Sequence, residues 1–243
     1  KTIKIGVFEP ASGDNGAGGK QEVLAIEYAN SIAPTVDIGG ETYNVELVEV
    51  DNQSSTDKAV TAAQELVSKK VSIVLGSYGS GVSIAAAPTF QSASIPAIGC
   101  SCPNPAVTEA NPYYFRVCFL DPFQGSVMAN FAKDEFSAAN AYVLSMLGED
   151  YGSGLATYFV NAFEDLGGTV TSEQFPEGTS DFSAYIQNAI NAGADVIFAP
   201  CATTYAAQII TQAASAGFDK PITAGDTWES SVILDAQKGT SVQ

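Results

Sequence analysis

Two turns in this chain carry side chains able to grip a charged small molecule. In Gly76-Ser77-Tyr78-Gly79-Ser80-Gly81, Ser80 stands where a helix is expected to begin. Its hydroxyl and the neighbouring N–H groups could therefore receive a carboxylate against the positive helix end. A plain tight turn is the other reading of the same glycines. In Gly225-Asp226-Thr227-Trp228, Asp226 follows an expected strand and could neutralise a ligand ammonium, with Trp228 as apolar wall. A Gly-Asp pair equally suits an exposed turn. The run from Gly13 to Gln21 has the look of a phosphate loop, but Asp14 replaces the required first glycine and Gln21 the required Ser or Thr. It reads instead as a flexible loop at the mouth of a site.

Composition removes most catalytic chemistry. The 243-residue chain has no histidine, so Ser/His/Asp triads, Cys/His pairs and His-based zinc sites are impossible, and Ser80 has neither an activating base nor a G-x-S-x-G elbow. Its four cysteines, Cys100, Cys102, Cys118 and Cys201, show no C-x-x-C spacing. They read as unpaired apolar residues, a Cys118–Cys201 bridge being the alternative. No catalytic residue, metal ligand or cofactor is expected. Ten Lys plus Arg against 27 Asp plus Glu leave a net charge of −17, which repels phosphate backbones and anionic lipid, so nucleic acid is not an expected partner. No apolar run of about 18 residues is present to insert directly into a membrane. The first strand follows Lys1 at once, as in a mature or trimmed chain.

Stepping from these residues to the elements that hold them, short β-rich runs alternate with helical stretches throughout. That order belongs to an α/β protein with parallel sheets. Strands are expected at 3–8, 43–50, 71–75 and 95–98, then at 142–147, 170–175, 196–199 and 222–224. Helices are expected at about 20–32, 153–165, 182–192 and 204–216. Another lies between residues 50 and 70, burying Val60, Ala63, Leu66 and Val67 as one stripe. In the 182–192 helix Phe182, Ile186, Ala189 and Ile190 form the buried face. A Pro- and Asn-rich passage from Cys100 to Pro122 interrupts the alternation, and Asp121-Pro122 restarts it as N-cap and N1 of a helix. Domains at 1–120 and 121–243 follow.

The order and spacing of several short motifs resemble the Leu/Ile/Val-binding protein family of amino-acid ABC transporters, type I periplasmic binding proteins. They are Ile5-Gly6-Val7-Phe8 with Gly13-Asp14, the Gly76–Gly81 loop, Ala87-Pro88, Ile95-Pro96, Asn104-Pro105, Phe115-Arg116, Asp121-Pro122-Phe123-Gln124-Gly125, Asp150-Tyr151-Gly152-Ser153-Gly154, Asp181-Phe182 and Gly225-Asp226-Thr227-Trp228. The resemblance implies two Rossmann-like lobes joined by a hinge and closing on a ligand at facing strand ends. It implies that Ser80 and the backbone around Ser101 and Cys102 hold the ligand's polar ends from the first lobe, with Tyr78 alongside. From the second lobe it implies Tyr151 and Asp226. Pro103 departs from the family's usual hydroxyl and Ala202 from an aromatic, which bears on which ligand fits.

The implied function is extracytoplasmic capture of an amino-acid-like ligand, aliphatic or branched-chain, for delivery to an ABC transporter permease. The protein would be periplasmic or lipid-anchored at the cell surface. A ligand-sensing receptor ectodomain of the same fold is the alternative. Family members are about a third longer, so the chain is expected to be incomplete at its C-terminal end, with an exposed sheet edge or apolar face.

Overall fold

The computed structural model describes residues 1–238, so the last five residues of the expected second lobe lie outside the described residues. The chain forms two compact units, Lys1–Cys118 and a second beginning at Phe119. The first contains β1 (Thr2–Glu9), α1 (Gly16–Ile32), β2 (Thr35–Ile38), β3 (Glu41–Asp51), α2 (Thr56–Ser68), β4 (Ile73–Leu75), α3 (Ser80–Ser92), β5 (Ala97–Gly99), α4 (Ala106–Glu109) and β6 (Tyr114–Arg116). The second contains α5 (Asp121–Phe136), β7 (Asn140–Met146), α6 (Asp150–Asp165), β8 (Thr169–Phe175), α7 (Ser183–Asn191), β9 (Val196–Phe198), α8 (Thr203–Ser215), β10 (Ile222–Thr223), a 3-10 turn (Asp226–Trp228) and α9 (Ser231–Gln237).

Each unit has its own sheet. The first has six strands in the order β2-β3-β1-β4-β5-β6 and the second four in the order β10-β9-β7-β8. All described pairings are parallel except β2 with β3. That antiparallel strand was not expected from the sequence. Its turn is Gly39-Gly40, both at positive φ (60° and 82°), the backbone a two-residue hairpin needs. Parallel strands joined through helices bring their carboxyl ends to one edge, where the loops of interest lie.

Four local expectations shift. Helix α1 starts at Gly16, so half of the glycine-rich stretch is helix and not loop. Gly19 explains the choice of residue, because a Cβ there would collide with the Pro10 carbonyl. Helix α5 takes Leu120 as N-cap, which makes Asp121 its first residue. The buried stripe of α2 is Ala59, Ala62, Ala63 and Leu66, while Val60 is exposed. The alanines lie against the sheet because small side chains let the helix approach it closely. Ile190 of α7 also lies partly exposed at the edge of its buried face.

Packing differs between the sheets. The second is covered on both faces, with Tyr142 and Leu144 of β7 in one cluster and Ala141 and Val143 in the other, as alternation along a strand requires. Phe159 anchors the latter, stacked on Phe198 with centroids 4.0 Å apart and on Phe163 at 5.5 Å. The first sheet packs α2 and α3 over one face through Phe8, Leu66, Val74 and Phe90. Its other face meets α1 around a cavity of about 420 Å³ lined by Ile5, Leu47, Leu75 and Ile26. Helix α1 turns Leu24, Tyr28 and Ile32, at spacing of four, to solvent.

Replacing Phe159 with Ala should cost about 3–5 kcal/mol, since it removes a fully buried ring and leaves a cavity. Leu24→Ala should change stability by less than about 0.5 kcal/mol. Urea denaturation followed by circular dichroism checks both; equal effects would contradict the packing described.

Candidate functional site

In the first unit the carboxyl end of β4 runs into the loop Gly76–Gly79 and then α3. The loop is fixed from every side. Gly76 N–H donates to Ile98 O (2.9 Å), Gly79 N–H to Ser101 O (2.8 Å), and Tyr114 hydroxyl to Gly76 O (2.7 Å). Asn52, fully buried, donates to the Ser77 hydroxyl (2.8 Å). Gly76 and Gly79 sit at φ 117° and 105°, positions only glycine holds without strain, and the Gly76–Ser77 peptide is cis.

Helix α3 opens on Ser80 with Gly79 as N-cap and no side-chain cap, while Ser80, Gly81 and Val82 are all buried. The first N–H groups of a helix have no intrahelical acceptor, and a buried uncapped start presents them to an incoming anion. The Ser80 hydroxyl itself accepts the Asn104 N–H at 3.1 Å. Tyr78, half-buried, lays its ring against Gly18, where a Cβ would overlap it. Its N–H donates to Glu9 Oε2 at 2.7 Å.

Ser101 is half-buried beside this loop, whereas Cys102 is fully buried with its sulfur against Gly99. Arg116, the chain's single arginine, clamps the segment by donating to the carbonyls of Cys102 (2.9 Å), Asn104 (2.8 Å) and Pro105 (3.1 Å). Tyr78, Ser80, Ser101 and Cys102 thus gather at the carboxyl ends of β4 and β5. Of these, Tyr78 and Ser101 keep exposed surface, while Ser80 and Cys102 are inside the loop packing.

In the second unit Tyr151 and Asp226, 75 residues apart, meet directly. The Tyr151 hydroxyl donates to Asp226 Oδ1 at 2.8 Å. Burial, and next the charge of Asp226, hold the phenol well above 10, so it keeps its proton and stays a donor. Gln124 adds a second constraint, its Oε1 accepting the Asp226 N–H at 2.7 Å and its amide donating to Asp121 at 3.2 Å. Asp226 is half-buried, and its Oδ2 has no hydrogen bond among the described residues. Gly225 is required here, because a Cβ would run into the Tyr151 hydroxyl. Trp228 is fixed by its indole N–H, which donates to Cys201 O at 3.1 Å. Helix α6 begins at Asp150 with the Glu149 carboxylate accepting the N–H groups of Tyr151 and Gly152, which sets Tyr151 at the head of its helix.

Sequence reasoning missed the supporting residues. Glu9 and Glu149 carry no motif of their own, and Gln124 stands in the Asp121–Gly125 motif without a role the sequence assigns, since each acts on a loop distant in sequence or on a backbone group. Arg116 could have been found, as one arginine in 243 residues is itself a signal. Glu9, Glu22 and Cys100 also come together, with ligand atoms within 4.8 Å of one another. Burial, then the Glu22 charge, pushes the Glu9 carboxyl well above 4.5, and burial with the same carboxylates pushes the Cys100 thiol up to about 12. Glu9 and Cys100 are therefore both biased toward their protonated forms.

The residues 2–240 match the model of a family described as periplasmic binding protein. The chain belongs to that family. It is 30% identical over 232 residues to the Leu/Ile/Val-binding protein homolog 1 of Brucella suis, covering 92% of this chain and 60% of that one. The crystal structure of a leucine-binding protein LivK from Thermotoga maritima superposes with a TM-score of 0.93 at 33% identity, covering 98% of this chain and 67% of that one. The branched-chain amino-acid transporter substrate-binding protein LivJ of Streptococcus pneumoniae, solved with isoleucine, gives 0.88 at 29% identity, covering all of this chain and 70% of that one. This periplasmic binding protein chain thus spans about 60% of the length of the Brucella relative. No helix among its described residues is long and apolar enough to cross a membrane.

Glu9 gives a pH test. Its folded pKa lies above its unfolded value, so the stability linked to it is complete below about pH 4.5 and is lost as pH rises through the folded pKa. Glu149, raised by burial, adds to the same slope. Glu9→Gln should lose less stability than wild type between pH 4.5 and 7.5 in urea denaturation. Equal losses would contradict a protonated Glu9.

Proposed function

We propose that this chain is the ligand-binding portion of an extracytoplasmic solute-binding protein that passes a small amino-acid-like ligand, aliphatic or branched-chain, to an ABC transporter permease. It binds and releases its ligand without transforming it. The observation that carries the reading is Asp226, its Oδ1 bonded by the Tyr151 hydroxyl and its backbone N–H by Gln124, with Oδ2 left over. A preorganised anion of this kind suits a ligand ammonium, through a charge-assisted hydrogen bond. The buried, uncapped start of α3 suits the opposite end of a zwitterion, its N–H groups taking the carboxylate.

Roles follow from exposure. Tyr78 and Ser101 touch the ligand, while Ser80 and Cys102 hold the loop that presents the N–H groups. Tyr151 orients Asp226 and Trp228 lines the apolar part. Support for the branched-chain class comes from LivJ with its bound isoleucine and from the leucine-binding protein of Thermotoga. Pro103 stands where the family usually offers a hydroxyl to the carboxylate, and Ala202 near a position often aromatic. Where these contacts decide the fit, the ligand is either a non-standard amino acid or one that is not an α-amino acid.

Isothermal calorimetry with L-leucine and L-isoleucine tests this. Asp226→Ala should weaken binding by about 1.5–3 kcal/mol, roughly ten- to hundredfold, through loss of a charge-assisted hydrogen bond. Unchanged affinity in the variant would show that no ammonium is bound there.

A further inference from the structure

Cys102 and Cys118 are brought together by the end of the first sheet. Strand β6 pairs in parallel with β5, Gly99 opposite Arg116, and the pairing continues past the strand where Val117 N–H donates to Gly99 O at 3.1 Å. Paired residues point to the same face of a sheet, and every second residue returns to it. The Cys102 sulfur occupies the space that a Gly99 side chain would take, on the face shared by Arg116, and Cys118 follows Arg116 by two residues. Arg116 fixes this arrangement by holding the Cys102 carbonyl at 2.9 Å. Cys118 lies close enough to raise the Cys102 thiol, while the Cys100 thiol is raised chiefly by burial and by Glu22 and Glu9, with Cys118 a smaller influence; all four cysteines are thiols. Cys201 is buried in the second unit.

We propose that Cys102 and Cys118 form a disulfide in the protein outside the cytoplasm. The proposal rests on the extracytoplasmic placement given above, since such bonds persist in oxidising compartments. The oxidant is a disulfide, of a small thiol or of a thiol oxidoreductase. Cys118, the more accessible thiol, loses its proton and attacks the oxidant, forming a mixed disulfide and releasing one thiol. Cys102 then loses its proton and attacks the Cys118 sulfur, expelling the second thiol. Two S–H bonds are lost, one S–S bond forms in the protein, and the oxidant's S–S bond is reduced to two thiols. The product ties the loop bearing Ser101 to the segment by which the chain leaves the first unit at Cys118. It also restricts the unfolded chain, which stabilises the fold.

The test is peptide mapping of the purified protein after oxidation by glutathione disulfide and alkylation with iodoacetamide in denaturant. The expected result is one cross-linked pair, Cys102 with Cys118, two hydrogens lighter than the reduced peptides, with Cys100 and Cys201 alkylated. The melting temperature should rise by several degrees on oxidation, a shift abolished by Cys118→Ser and kept by Cys100→Ser. Four alkylated cysteines, or a Cys100–Cys118 link, would overturn the proposal. None of these readouts involves ligand, so they are separate from the test of binding.

Discussion

Parallel strands deliver every loop of interest to one edge of a sheet, and the polar groups that become buried there must be satisfied locally. A buried group left without a partner costs about 1–3 kcal/mol. With no histidine and a single arginine in the sequence, the chain meets this demand with backbone amides, carboxylates and phenols. The positions of Tyr151, Gln124, Glu9 and Arg116 all follow from it. Each closes a hydrogen bond that a strand-to-helix loop leaves open.

That constraint produces two unlike loop clusters, one in each unit. In the second unit the Tyr151 hydroxyl and the Gln124 side chain both bond Asp226, so little conformational freedom remains to it. Tyr151 suits the task because burial keeps its proton in place and its hydroxyl can only donate to a carboxylate. In the first unit the loop is satisfied by its neighbours through Asn52, Tyr114 and the Ser101 carbonyl, leaving the start of α3 as the unclaimed donor set. One unit carries a held carboxylate, and the other a helix start whose N–H groups have no side-chain cap.

The sequence made much of the fold legible because buried parallel strands and amphipathic helices leave periodic apolar patterns. The main strands and helices of the second unit stand close to where those patterns put them. It was poorest where short-range chemistry decides. The Gly39-Gly40 hairpin went unread because β2 is an exposed edge strand without a buried alternation. The start of α1 lies earlier than the glycine-rich pattern suggests, because Gly19 serves close packing on Pro10 and not loop freedom. At the candidate site, the sequence points to Ser80, Tyr151 and Asp226 because motifs carry them. It assigns no role to their supports, since a hydrogen bond between residues 102 positions apart, such as Asp226 to Gln124, has no local signature. Ser80 also proved to be engaged by Asn104, a distinction that only three-dimensional packing reveals.

The most direct measurement compares three ligands of one shape by calorimetry: L-leucine, its amide, and the acid that lacks the amino group. If an anionic end meets the α3 amides and a cationic end meets Asp226, removing either charge should weaken binding by roughly tenfold or more, since each loses a charge-assisted hydrogen bond. Binding of the amino-free acid as tight as that of leucine would contradict the zwitterion reading and assign the site to simple carboxylates.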